Sequence, residues 1–344
     1  FEMLPKLGGM LRYGIPNYRL PKDRLDDDIQ AILKTGVKVI YGKRIGTDMT
    51  IQSLRSEYDA VLITIGASTD KKLGIEGEDA KGVISAVQFL RDVGKNQNRD
   101  LSGQEVAVIG GGNVSMDAVR TAIRLGAKKV SIVYRRRVAD MTALPAEIEA
   151  AVAEGVELLT LVAPAGIEVD ENGRVSGIRV TPQMISTIKD GRASVTASGE
   201  PEYVIPCQTM IIAIGQNIEI KHYEESGIPV SRGKIVTLPN GGFADIPGVF
   251  AGGDCASGPA TVIKAVAAAK VTAANIDEYL GYHHEITCDI EIPIPNNNDH
   301  TPCGRVELSE REASERKHDF EGVENCMNKK EIAQESGRCL RCDH

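Results

Sequence analysis

The chain has 344 residues, of which 42% are apolar, and no apolar run approaches the roughly 18–20 residues needed to span a bilayer. Its net charge of −8, with no basic stripe, gives no general attraction to nucleic acid or to an anionic membrane surface. The length is ample for two or three domains, and the 35 glycines with no tryptophan suit an α/β chain whose loops approach phosphates closely.

The chain opens on Phe1 rather than a methionine, and its start is read as cut, so a targeting segment would not be seen. Residues 23–35 predict an amphipathic helix with Leu25, Ile29, Ile32 and Leu33 on one face. Residues 37–40 (VKVI) predict a short strand. The apolar run 59–67 (DAVLITIGA) predicts a strand buried in a parallel sheet. The polar stretch 94–103 marks a crossing between domains. A strand, a glycine turn and a helix follow over 105–125, with a second strand at 129–134. Residues 145–154 predict a helix with Pro145 in its first turn. Its Glu147, Glu149 and Glu154 are read as a solvated face rather than as acid/base catalysts. Residues 165–181 predict a hairpin around Asn172-Gly173. The strand patterns at 208–216 and 248–254 echo 59–67, and an Ala-rich helix follows over 260–280. Beyond Gly281 the composition changes. Ser309 with Glu312, and Asn328 with Glu331, predict capping boxes that open short helices.

The sharpest motif is EVAVIGGGNVSMD at 105–117. Gly110 permits the tight turn, Gly111 and Gly112 let the backbone approach a pyrophosphate, and Ser115 takes the place of a third small residue. The helix beginning at Asn113 and Val114 offers free N–H groups and a positive dipole end to that anion. An NAD-type site would carry an acid after the second strand; this chain has Tyr134-Arg135-Arg136-Arg137. Guanidinium forks suit a 2′-phosphate, so NADPH is expected over NADH.

Three separated segments, GGMLRYGIPNYRLP (8–21), VAVIGGGNVSMDAVRTAIRLGA (106–127) with YRRR after it, and GVFAGGD (248–254), resemble the small subunit of NADPH-dependent glutamate synthase. The wider group is that of FAD-dependent pyridine nucleotide oxidoreductases, including the flavoprotein subunits of electron-bifurcating transhydrogenases. The resemblance covers about residues 1–282. It implies an α/β fold of two Rossmann-like dinucleotide-binding domains, the FAD domain discontinuous and the NADPH domain inserted. The expected parts are 1–95 and 218–282 for FAD, 96–217 for NADPH, and a cysteine-containing tail at 283–344.

By the same resemblance Glu2 binds the adenosine ribose of FAD, Gly8, Gly9 and Leu11 line the flavin, and the backbone near Arg44 meets the adenine. Thr64 and Gly66 lie in the first crossover strand, with Gly215 in its echo. Gly253 and Asp254 meet the ribityl-phosphate part, and Thr261 and Val262 open a helix aimed at the flavin. Three departures stand out. The FAD domain's first strand and glycine motif, expected roughly 20 residues before Glu2, are absent. Ala269-Lys270 replaces a common Gly-Arg. The family's cysteine-rich N-terminal domain is missing, while a different cysteine tail follows.

Seven cysteines, none before Cys207 and five after residue 283, argue for reduced thiols in a cytoplasmic setting. A disulfide reductase needs two nearby cysteines beside the flavin; Cys207 and Cys255 stand singly, and Cys255 is expected to be a buried inert thiol. Cys339-x-x-Cys342 has the spacing of a zinc or iron–sulfur site, which Cys303, Cys326 or further residues would complete; free thiols are the plainer alternative. The chain is therefore expected to move a hydride between NADPH and FAD and pass electrons to a larger accepting subunit. That partner is either a glutamate synthase large chain or a subunit of a bifurcating complex that uses ferredoxin and NAD(H). A flavin-less nucleotide-binding scaffold is the non-enzymatic alternative.

Overall fold

The computed structural model describes residues 1–285 and 304–338. In chain order the elements that matter here are helices α1 (Gly9–Tyr13) and α2 (Lys22–Leu33), strands β1 (Val61–Ile63) and β2 (Val83–Ser85), and helix α3 (Ala86–Gly94). Strand β3 (Glu105–Ile109), helix α4 (Asn113–Arg124), strand β4 (Lys129–Tyr134), helix α5 (Pro145–Ala153) and strand β5 (Glu157–Thr160) come next. Strands β6 (Val162–Val169), β7 (Val175–Lys189), β8 (Arg192–Ala197), β9 (Tyr203–Pro206) and β10 (Thr209–Ile212) follow. Strand β11 (Val249–Ala251) and helices α6 (Val262–Tyr279), α7 (Ala313–Arg316) and α8 (Lys329–Gly337) close the series.

The centre is a five-stranded parallel sheet in the order β2-β10-β3-β4-β5. Val106 to Ile109 and Val130 to Val133 are buried, the near-continuous apolar pattern of strands covered on both faces. Met116, Ala118, Val119 and Ala122 of α4 pack one face together with Phe89 and Leu90 of α3. Ile167, Ile178, Val180 and Ile205, from an antiparallel sheet in the order β9-β7-β6, pack the other. This sheet begins earlier than residue 96. Its edge strand is Val83–Ser85, and α3 starts there because the Ser85 hydroxyl accepts from the N–H groups of Val87 and Gln88.

On the other side β1 pairs in parallel with β11, with Val61 opposite Val249 and Ile63 opposite Ala251. Two short crossing strands join the halves: Gln216 pairs with Asp70 and Asn217 with Thr69. They are cross-tied by Thr69 Oγ1 donating to Asn217 O and Asn217 Nδ2 donating to Asp70 O, each 2.9 Å.

The expected helices at 23–35, 145–154 and 260–280 form with small shifts of their ends. Of the apolar face of α2, only Leu25 is buried, and Ile32 is exposed. Residues 37–40 form no strand; Ile40 O instead accepts from Glu2 N, and Glu2 O accepts from Lys43 N. The hairpin of β6 and β7 closes through Asp170, whose Oδ1 accepts from the N–H groups of Asn172 and Arg174, with Gly173 at φ 69°. β7 then runs past residue 181 and turns through Asp190 and Gly191, both at positive φ, into β8. The Asn328–Glu331 capping box is present. Ser309 opens no helix: its hydroxyl takes a bond from Asn325 Nδ2, and α7 starts after Glu312 without a side-chain cap. Among the described residues no helix is long and apolar enough to cross a membrane.

Candidate functional site

β3 ends at Ile109 and the chain turns through Gly110 at φ +139°. A Cβ on Gly110 would collide with Ala213 O and lie 2.7 Å from Ser115 Oγ, so glycine lets α4 seat against the sheet. A Cβ on Gly111 would lie 2.7 Å from Cε2 of Tyr134. Gly111 O accepts from Thr142 N (2.9 Å) and Ala143 N (3.1 Å), which holds the 141–144 loop beside the turn. Gly112 is the N-cap of α4 and carries no side-chain cap. A Cβ there would meet nothing nearer than Thr142 Oγ1, at 3.4 Å, so this side of the turn is open. Asn113 does not cap α4; its Oδ1 accepts from Leu144 N at 3.0 Å and ties the loop to the helix start. Among the described residues the N–H groups of Gly112, Asn113 and Val114 have no acceptor. Three free donors at a positive helix end, with no side chain in the way, fit a pyrophosphate.

The arginines beyond β4 divide into two kinds. Arg137 is committed: its Nε and Nη2 donate to Asp140 at 2.7 and 2.9 Å. The Asp140 carboxylate is fully buried and also accepts from Ala193 N of β8 at 2.9 Å. Hydrogen bonds from Arg137, and then from the Ala193 N–H, hold its carboxyl well below the usual range. The main-chain oxygen of Asp140 accepts from Tyr134 Oη at 2.8 Å, so one residue fixes the whole turn. Arg135 is exposed and Arg136 half-buried, and neither forms an ion pair among the described residues. Arg136 Nε is buried without a partner. The basic cluster read as three arginines therefore offers two to a ligand.

The residues that the resemblance assigns to FAD fall into three groups. Glu2 lies on the ladder with residues 40–43, its Oε1 accepting from Leu4 N; Arg44 is nearby in sequence and pairs with Glu219. Gly8 (φ +122°) and Gly9 (φ +48°) turn the chain into α1, and Leu11 N donates to Gly8 O. Lys22 braces this segment, donating to Leu11 O at 2.7 Å and Ile15 O at 2.6 Å. Burial, and then the Arg12 charge, lower the Lys22 ammonium to about 8. Thr64 and Gly66 follow β1, and Gly253 and Asp254 follow β11, so the parallel pairing sets their ends side by side; Gly252 N donates to Ile63 O at 3.1 Å. Gly66 and Gly253 both have positive φ, which leaves backbone without side chains at that edge. Burial raises the Asp254 carboxyl. Thr261 is the N-cap of α6, and Val262 is exposed. Gly215 sits by the crossing strands at φ +127°.

Cys339 and Cys342 lie outside the described residues. Among the described residues no group of His, Cys, Asp and Glu side chains forms a metal site. Cys255 is buried, and its Sγ donates to Gly252 O at 3.2 Å. Burial pushes the Cys207 thiol up to about 12 and raises that of Cys255.

One expectation is overturned. Glu154 is not solvated: its side chain is fully buried and accepts from Arg120, Arg124 and Arg316. Glu147 is largely buried and pairs with Arg19 and Arg120, while Glu149 is exposed. Burial alone would raise the Glu154 carboxyl, but the Arg124 and Arg120 hydrogen bonds outweigh it and hold it low. The sequence signal was available, because Arg120 and Arg124 lie one turn apart on an otherwise buried helix.

The family described as pyridine nucleotide-disulphide oxidoreductase matches residues 4–269. The beta subunit of an NADP(+)-dependent formate dehydrogenase from Moorella thermoacetica is 38% identical over 357 residues, covering 99% of this chain and 50% of that protein. The small chain of glutamate synthase [NADPH] from Escherichia coli is 34% identical over 299 residues, covering 81% of this chain and 63% of its own length. The chain thus spans about half the length of the first of these relatives. Among solved structures, Mycobacterium tuberculosis FprA in complex with NADPH has the same fold, with a TM-score of 0.68 at 20% identity over 81% of this chain and 76% of that one.

Proposed function

The chain belongs to the pyridine nucleotide-disulphide oxidoreductase family, and on that premise we propose that it is an FAD-dependent oxidoreductase that exchanges a hydride with NADPH and passes electrons to a larger partner subunit. The observation that carries this reading is the open Gly110–Val114 turn, with three N–H groups that have no acceptor among the described residues, beside two arginines that form no ion pair among them. The N–H groups of Gly112, Asn113 and Val114 would hold the pyrophosphate, and Arg135 and Arg136 the 2′-phosphate. On the flavin side, the positive-φ glycines Gly66 and Gly253, with Asp254 and the start of α6, would line the isoalloxazine and its ribityl chain. FAD, when bound, supplies the group that accepts a hydride from the nicotinamide and releases electrons onward. The chain's own residues bind, orient and exclude water; no side chain need move a proton at the reacting carbon.

The kind of partner is a further part of the proposal. The formate dehydrogenase beta subunit aligns over 99% of this chain, whereas the glutamate synthase small chain aligns over 81%. The former thus also covers a part of this chain that the latter leaves unaligned. This favours an electron-transfer subunit that hands electrons to an iron–sulfur or flavin carrier, with Cys339 and Cys342 as candidate cluster ligands, over a partner of the glutamate synthase type. Anaerobic titration of the purified natural complex tests the core of the reading. NADPH should bleach its flavin absorbance and NADH at equal concentration should not. Equal bleaching by both overturns the NADPH assignment, and bleaching by neither overturns the oxidoreductase.

A further inference from the structure

Three guanidinium groups converge on one buried carboxylate at the joint between the 8–21 segment and the dinucleotide-binding sheet. Glu154, at the end of α5, accepts from Arg120 Nη2 at 2.8 Å, Arg124 Nη1 at 2.6 Å and Arg316 Nε at 3.0 Å. Arg120 and Arg124 belong to α4, the helix whose start forms the nucleotide turn. Arg316 comes from α7, far along the chain, and is itself buried. Its other face is held by Glu310 and by Arg311 O.

The same segment grips the opposite side of the joint. Val323 N donates to Tyr18 O at 3.0 Å, and Asn17 Nδ2 donates to Phe320 O at 3.0 Å. The rings of Phe320 and Tyr18 lie 6.2 Å apart. Tyr18 is buried and covers Arg124 at 4.0 Å and Arg120 at 5.0 Å, while Arg19 bridges Asp117 and Glu147 at 2.9 Å each. Residues 310–323 therefore touch both partners at once: Glu154 of the dinucleotide-binding half, and the loop that continues from the glycines at 8 and 9. Among the described residues α1 also packs on α3, two short crossing strands link the halves, and Arg91 Nη2 donates to Ser68 O at 2.5 Å.

We propose that residues 310–323 are a strap and that Arg316 is a positioning residue, fixing the angle at which the NADPH-binding half faces the 8–21 segment. The inference rests on the functional reading above, together with the resemblance by which Gly8, Gly9 and Leu11 line the flavin. An isolated glutamate–arginine pair would stabilise one element only; here the strap's bonds end on both α5 and the 8–21 segment, which on that reading must be in register for hydride transfer.

The test uses the full-length chain in its flavin-loaded complex, with Arg316→Ala, Arg316→Lys and Phe320→Ala. The last loosens the strap from Tyr18 without leaving a buried charge, so it covers the case in which Arg316→Ala fails to fold. Three quantities are read: NADPH affinity by calorimetry, the rate of flavin bleaching at saturating NADPH, and amide hydrogen exchange over residues 8–21. In Arg316→Ala and Phe320→Ala, affinity should stay within about two-fold while the saturated rate falls by about 10–100-fold, with Arg316→Lys between them and wild type. Protection of residues 17–20 should drop in parallel. Unchanged bleaching despite lost protection overturns the positioning role, and so does a loss of affinity that matches the loss of rate. If wild-type protein does not bleach, the functional reading fails by itself; the strap then stands or falls on exchange, and unchanged protection at 17–20 in both variants removes it.

Discussion

Replacing Arg135 and Arg136 together by alanine should separate the two pyridine nucleotides. Arg137 and Asp140 neutralise each other across bonds of 2.7 and 2.9 Å, so the 2′-phosphate has two guanidiniums to meet, not three. Arg135 is exposed and works in water, at the lower end of the roughly 1.5–3 kcal/mol expected of a hydrogen bond to a charged group. Arg136 is half-buried, with a dry Nε that has no partner among the described residues, and its contribution should be larger. Together they are worth about 4 kcal/mol, on the order of a 1,000-fold loss of NADPH affinity. NADH lacks the phosphate and should change by no more than about two- to three-fold by the same reasoning. Calorimetric titration of both nucleotides, at one fixed ionic strength because exposed charges are screened, gives the two ratios. Arg137→Ala is the internal control. It releases Asp140 and disorders the turn rather than deleting a phosphate contact, so it should weaken both nucleotides alike. Equal losses for NADPH and NADH in the double variant would refute the assignment of the 135–136 pair.

Four other outcomes follow from the same geometry. Glu154→Ala leaves three buried guanidiniums short of their shared carboxylate and should destabilise folding by about 3–5 kcal/mol in urea titrations; a loss below about 1 kcal/mol, the level of a surface pair, would contradict the burial argument. Burial, against the pull of Arg19, pushes the Asp117 carboxyl up to about 6, above the usual unfolded value near 4. The folded state therefore holds a proton between about pH 4 and 6 that the unfolded chain has released, and stability falls as pH rises across that window. Relative to Asp117→Asn, wild type should lose up to about 2 kcal/mol over it, and a flat difference would show that Asp117 titrates normally. The chain should carry well under one FAD per molecule, because among the described residues the sheet of β1 and β11 has two strands and α6 leaves Ile263 71% exposed; stoichiometric FAD would disprove this. Changing Cys339 and Cys342 to serine in the natural complex should spare flavin bleaching by NADPH but abolish partner reduction and remove iron or zinc. Unchanged metal content and unchanged partner reduction would make the tail a structural appendage.

The parts of the fold that periodicity and glycine encode were readable, and the parts made by distant charge pairs were not. β3, the turn at Gly110 to Gly112 and α4 follow from a buried apolar run meeting residues that cannot tolerate a Cβ. α3 was missed because it begins directly from the three-residue strand β2, and only the hydroxyl of Ser85 marks the change. The second hairpin escaped because β7 switches from half-buried to exposed at Met184 without a turn residue until Asp190. Glu147 and Glu154 looked like a solvated face because two of their partners, Arg19 and Arg316, lie over a hundred positions away in sequence, and the nearer pair, Arg120 and Arg124, was read only as part of the nucleotide-binding helix. Arg137 looked available because Asp140 is three residues on, close enough to be taken for an ordinary surface acid.

The family's name points to disulphide chemistry, and the thiols of this chain argue against it. A redox dithiol needs two sulfurs close together, at least one of them readily ionised. Among the described residues Cys255 is the cysteine nearest the proposed flavin edge, since it follows Asp254, yet it is buried and its Sγ is spent on the carbonyl oxygens of Gly252 and, at 3.5 Å, Ile63. Cys207 lies in the core of the other half, against the antiparallel sheet, and burial has pushed its thiol to about 12. Burial raises both thiols and disfavours their thiolates, and the two belong to different hydrophobic clusters. With no such pair among the described residues, the route proposed above is for electrons to leave the flavin for a partner. That route gives the C-terminal segment a reason to be bound at the joint. A strap that ends on both Glu154 and Tyr18 holds residues 310–323 against α4, α5 and the 8–21 segment, beside the helix whose start forms the nucleotide turn.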